Sequence, residues 1–138
     1  VLNVVQTGPA EMSLYVNQDY AQPTAHLHRY SLRIDGFTSL HAPYEGGEMI
    51  TRPFRFTGDT LLLNFSTSAA GYIKVEILDL QGNILEGYEL ENSKELIGNE
   101  IEKAVSWKGN PDLEKLVNMP IRLRFVMKDA DLYSLRFN

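Results

Sequence analysis

Apolar and polar positions alternate along most of this chain. Ile121, Leu123, Phe125 and Met127 are interleaved with Arg122, Arg124, Val126 and Lys128, and Tyr133, Leu135 and Phe137 with Ser134 and Arg136. The same period of two runs through Ile73, Val75 and Ile77, through Tyr30, Leu32 and Ile34, and through Leu61, Leu63 and Phe65. Side chains two apart share a face of an extended backbone, so each run predicts a strand with one dry face and one wetter face. Weaker strand patterns cover Val1 to Gln6, Met12 to Val16, Thr51 to Phe56, Glu86 to Leu90 and Ile101 to Trp107. Together they predict roughly eight to ten short strands, the spacing of a two-layered all-β domain.

The joins carry turn chemistry. Asp35-Gly36 and Gly82-Asn83 supply residues that tolerate positive φ, and Leu80 to Ile84 predicts a hairpin tip. Ser66 to Gly71 predicts a tight link between two strands, and Asp129-Ala130-Asp131 a turn between the last two. Helix is confined to two places. Asn110-Pro111-Asp112-Leu113 predicts an N-cap, a proline at the first helical position and a first-turn acid. Leu113, Leu116 and Val117 then share a face, and Pro120 ends the helix after about two turns. Asn92 to Gly98 predicts one more capped turn. The predicted fold is therefore all-β, an antiparallel, jelly-roll-like β-sandwich with one or two short helical turns. Ala21-Gln22-Pro23-Thr24 is polar and holds a proline. It predicts a seam between an arm or linker from a preceding domain, residues 1–23, and a sandwich domain, residues 24–138.

Composition narrows the function classes. The 138 residues carry 13 basic and 18 acidic side chains and a formal charge of -5. That balance disfavours nucleic acid as a partner, because phosphate recognition needs a basic stripe. It equally disfavours a polybasic membrane patch. There is no cysteine, so disulfides and thiolate metal sites are out. No apolar run approaches the ~20 residues of a membrane-spanning helix, so no membrane insertion is expected. The chain opens Val1-Leu2-Asn3-Val4-Val5 without an initiator Met or a leader, and reads as a piece of a larger protein.

Candidate chemistry is sparse. The histidines are His26, His28 and His41, and no Gly-x-Ser-x-Gly elbow accompanies them. His26 and His28 share a strand face, but spacing supplies no third zinc ligand. Asp129 and Asp131 fit either calcium oxygens or a plain turn. Acid pairs such as Glu45 with Glu48 and Glu100 with Glu102 lie in no context that raises a carboxyl pKa, as glycoside hydrolysis requires. Gly46-Gly47 lacks the Lys-Ser/Thr of a phosphate loop. No catalytic residue, metal site or cofactor is therefore assigned. Sugar rings stack on aromatics, which makes Trp107 and Tyr44 carbohydrate-binding candidates, with Tyr20, His26 and His28 beside the seam. Trp107 is in phase with Val105 and Ile101, which reads equally as a core position.

Four stretches carry a family resemblance. His28 to Leu40 (HRYSLRIDGFTSL), Leu61 to Gly71 (LLLNFSTSAAG), and Val105 to Gly109 with Leu123 to Ser134 resemble the C-terminal module of certain bacterial proteins. Those proteins are related to the five-bladed-propeller glycoside hydrolases of family thirty-two. Met12 to Asn17 resembles the last strand of such a propeller or the linker that leaves it. The resemblance implies a non-catalytic accessory β-sandwich that supports the preceding catalytic propeller of the same parent chain and sometimes holds carbohydrate weakly. It implies a secreted or periplasmic location. The catalytic carboxylates of the family belong to the propeller and match nothing here. The alternative is a protein–protein interaction or adhesive module that binds no sugar and works through a sheet edge or flat face.

Overall fold

The computed structural model describes residues 3–109 and 112–138, which form two compact units, Val1–Thr38 and Ser39–Asn138. Both are built from antiparallel strands, and the fold is all-β and sandwich-like.

The first unit is a three-stranded sheet, β1 (Val4–Gln6), β2 (Glu11–Gln18) and β3 (His26–Arg33), in the order β1-β2-β3. Leu14 faces Val4 on one side and Tyr30 on the other, so three strands share one register. Ala21 to Thr24, the predicted seam, lies in the turn that joins β2 to β3. There Asp19 and Ala21 take positive φ, and the Gln22 amide donates to Asp19 O at 2.9 Å. Among the described residues of this unit only Met12 and Ser13 are buried. Ser13 is held in a polar cluster, where its hydroxyl meets Arg29 Nε at 2.9 Å and the Thr7 hydroxyl at 2.7 Å. Arg29 also pairs with Glu11.

The second unit is a five-stranded sheet with β4 (Leu40–Ala42), β5 (Gly47–Ile50), β6 (Leu61–Leu78), β7 (Asn99–Ala104) and β8 (Arg122–Phe137). The order is β4-β8-β6-β7, and β5 pairs with the other half of β8. The short strands predicted at Leu61 to Phe65 and Ile73 to Ile77 are one strand, β6. Those at Ile121 to Met127 and Tyr133 to Phe137 are likewise one strand, β8. The ribbon they form is interrupted in its middle, where Thr67 faces Ala130 and Tyr72 faces Lys128. Four residues of β6 therefore oppose one of β8, Asp129, whose φ is 40°. So large a bulge bends a ribbon sharply. Both halves then turn their apolar faces into one core: Leu61, Leu63, Phe65, Ile73, Val75, Ile77, Leu123 and Phe125 are completely buried within it. Each such side chain contributes about 1.5–3 kcal/mol relative to exposure.

The bulges also reset which residues face inward. Leu123, Phe125 and Met127 point into the core, Asp129 shifts the phase to Ala130 and Leu132, and a second irregularity at Tyr133 shifts it to Leu135 and Phe137. Tyr133, predicted on the dry face, is thus the extra residue of a bulge.

Other expectations are corrected. Thr51 to Phe56 holds a single bridge, Phe54 to Ile121, and the strand lies just before it at β5. Glu86 to Leu90 is a loop whose Tyr88 carbonyl accepts from the Ile77 amide at 3.2 Å. Trp107 lies beyond β7 and bridges Ser93. Asn92 to Gly98 forms no helical turn, because Ser93 and Leu96 are drawn out to bridge Trp107 and Ile73. The one helical element among the described residues is the 3₁₀ turn Leu113–Leu116, shorter than predicted. Its cap is Asp112, whose side chain accepts from the Glu114 amide at 2.9 Å; the predicted roles of Asn110 and Pro111 lie outside the described residues. Leu113 and Leu116 are buried as their shared face implies.

Candidate functional site

Two surfaces concentrate groups able to meet a ligand. The first is a row of rings on β3. His26, His28 and Tyr30 project from one face because they are two apart on an extended strand. The His26 and His28 rings lie 6.2 Å apart edge-on, and His28 and Tyr30 4.5 Å apart and tilted. The row is anchored at both ends. His26 Nδ1 lies 2.8 Å from Thr24 O, and Gln18 Nε2 donates to the Tyr30 hydroxyl at 2.7 Å. All three residues are exposed, and Tyr20, in the adjoining turn, is 81% exposed. Of the sequence candidates, then, His26 and His28 are brought together and joined by Tyr30. The period of two already placed Tyr30 on that face.

Tyr44 stands alone in the second unit. It is exposed, and Lys128 Nζ sits 4.2 Å above its ring, so that face already carries a cation. Trp107 is only 2% exposed. Its indole N–H donates to Val75 O at 2.9 Å, and its ring meets Tyr88 edge-on at 5.4 Å. It is a core residue and offers no open face for stacking.

The second surface is a cleft of about 400 Å³ beside Trp107, where the start of β6 and the chain leaving β7 diverge. Its floor is Val105, Trp107 and Leu113, all buried. Its rim carries the carboxylates of Asp59 and Asp112 and the hydroxyls of Thr60 and Ser106. Asp59 Oδ1 accepts from the Thr60 hydroxyl at 2.7 Å, and Asp112 Oδ1 is committed to its cap. Beneath the cleft the Tyr88 hydroxyl donates to Asp112 O at 2.9 Å. Burial first, and the Asp112 charge second, push its pKa up. The sequence pattern predicts Asp112 as an acid of the first helical turn. The structure moves Asp112 from that first turn to the cap itself, and only the fold brings it and Asp59 to one opening.

The remaining candidates have structural partners. Ser39 Oγ donates to Asp131 Oδ1 at 2.7 Å, and His41 Nδ1 lies 3.1 Å from the same oxygen. The hydroxyl is thus turned to the carboxylate and away from the imidazole, an arrangement that clips β4 to β8 and does not prime a nucleophile. Glu48 pairs with Arg124 and Glu102 with Arg136. Among the described residues no three His, Asp or Glu side chains gather as metal ligands. No helix is long and apolar enough to cross a membrane among them. No protein-family model, curated protein or solved structure matches the chain.

Proposed function

We propose that the chain is a non-catalytic accessory β-sandwich module of a protein related to propeller glycoside hydrolases, supporting the catalytic domain and holding carbohydrate weakly. The observation that carries the supporting role is the make-up of the N-terminal sheet. It is a single layer of three strands with two buried side chains among its described residues, and it exposes Val4, Val5, Leu27 and Tyr30. A sheet of this size needs a second apolar surface to be stable. The resemblance supplies that surface as the preceding propeller, in a secreted or periplasmic protein. The ring row of β3 faces the same way as the apolar residues Leu14 and Val16, as a docking face requires.

The test is hydrogen exchange on this chain alone and joined to its natural upstream domain. The Leu27 to Leu32 amides should gain protection in the joined protein. Unchanged exchange there would end the supporting role. A second reading, a module that binds protein by strand addition, is favoured by the position of β3 at the end of its sheet. Under it, an added extended peptide protects those amides in the isolated chain, and no glycan gives heat in calorimetry.

A further inference from the structure

We propose that the cleft beside Trp107 is the carbohydrate site, taking one end of a neutral, polyhydroxylated ligand. The proposal deepens the carbohydrate half of the accessory reading by giving it a place, away from the exposed rings that the sequence favours.

The lining chemistry selects the ligand class. The cleft volume of about 400 Å³ falls in the range of small-ligand sites, roughly 300–1,000 Å³. Among the described residues its lining includes no Lys, Arg or His and holds two acids, Asp59 and Asp112, so an anion would be repelled. Calcium takes about six to eight oxygen ligands and usually several carboxylates, more than this rim concentrates. An apolar ligand would strand the carboxylates and hydroxyls without partners. A sugar satisfies all of them. Its hydroxyls donate to Asp59 and Asp112, each of which keeps Oδ2 without a partner among the described residues. Thr60 and Ser106 can donate or accept. The C–H face of the ring then lies over Val105 and Leu113, the apolar floor.

The burial of Trp107 shapes the strength. A ligand meets the indole only at its rim, so hydrogen bonds must carry recognition. Sugar–carboxylate bonds at a water-exposed rim are weak in net terms, and a Kd of about 1 mM is expected, about −4 kcal/mol. The mode differs from stacking on His26, His28 or Tyr30, and that difference makes the site testable.

The chain contains one tryptophan, so its indole N–H gives one resolved signal at the cleft floor. The full chain is titrated with sucrose, inulin oligosaccharides and xylobiose, and separately with Ca²⁺, while amide and indole shifts are recorded. At least one sugar should give saturable shifts at Asp59, Thr60, Ser106 and the indole. Asp59→Ala should weaken that binding about tenfold, and His28→Ala should leave it unchanged. Asp59 is exposed and, among the described residues, its side chain bonds only its neighbour, so this variant should fold; an unchanged amide spectrum elsewhere checks that. Sugar shifts centred on His26, His28 and Tyr30 would overturn the cleft and keep carbohydrate binding. Shifts at the cleft with Ca²⁺ and none with sugars would overturn it as a cation site. No saturable shift with any sugar would overturn it together with the carbohydrate half of the accessory reading, leaving the docking role to the exchange experiment.

Discussion

Glu76 is a carboxylate on a strand whose other residues are mostly apolar, and it is 2% exposed. Water cannot solvate it there, so the protein must. Arg124 Nη1 donates to it at 3.0 Å, the Leu90 amide at 3.2 Å, and Arg124 Nη2 reaches Glu48 at 2.6 Å. One guanidinium thus ties β5, β8 and β6, and both carboxylates raise its pKa, Glu48 more than Glu76. Arg124→Ala should cost about 3 kcal/mol in denaturant unfolding, because it leaves a buried charge unpaired. Adding Glu76→Gln should recover part of that loss; a double variant no better than the single one would contradict this account. Asp79 behaves differently, since it is only partly buried and is held by local bonds. Its two oxygens accept from the Asn83 side chain and amide, both at 2.8 Å, and these bonds draw its pKa down. A group whose folded pKa is depressed contributes stability above its unfolded pKa and loses it as pH falls through the folded one. The melting temperature of Asp79→Asn should therefore lie below that of the parent at neutral pH and converge with it in acid. A gap that widens in acid would reverse the sign.

At the scale of elements, the alternation of Leu61, Leu63, Phe65 and of Ile73, Val75, Ile77 located the buried face correctly, because both halves of β6 keep odd residues inward. What the alternation could not reveal is that Ser66 to Gly71 continues one strand. Small polar residues read as a link in any register, and only the pairing of Thr67 with Ala130 and Tyr72 with Lys128 shows a bulge. The same blindness moved Tyr133 to the wrong face. The extra residue there, and the mismatch at Asp129, shift the inward phase of β8 twice, which its apolar pattern alone does not show. Gly71 is where the bend is tightest: a Cβ there would sit 2.3 Å from Asp129 O and 2.6 Å from Lys128 O. Both are backbone atoms and cannot rotate aside. Gly71→Ala should lower stability by about 3 kcal/mol through overpacking. Gly82, at φ 89° with nothing within 4 Å of its would-be Cβ, is the control. Gly82→Ala should cost only about 1–2 kcal/mol, the strain of the left-handed backbone alone. Equal losses in chemical denaturation would mean that the close approach of β6 and β8 is not what fixes Gly71.

Over the whole molecule the core is unevenly shared. The cluster of buried apolar residues belongs to the second unit, and the first contributes Met12 and Ser13 as its buried residues among those described. The sequence did not disclose this, because Met12 to Val16 and Tyr30 to Ile34 also read as strands with a drier face. Alternation reports two faces and is silent on whether anything covers the drier one. The candidate site was hidden for the same reason: Asp59 and Asp112 lie 53 positions apart, and nothing local links them before the strands assemble. Stability follows buried area, so segments with few buried contacts open at lower free energy than the core. Amides of β2 and β3 should therefore exchange through a local opening, well before those of Leu63, Phe65, Val75 and Phe125, which should exchange only on global unfolding. Dilute denaturant should separate the two classes: rates in β6 and β8 should rise steeply with its concentration, because global unfolding exposes much surface, and rates in β2 and β3 should barely respond. If β3 amides instead showed the same protection and the same denaturant slope as Val75, both units would unfold together, and the N-terminal sheet would need no further surface to complete it.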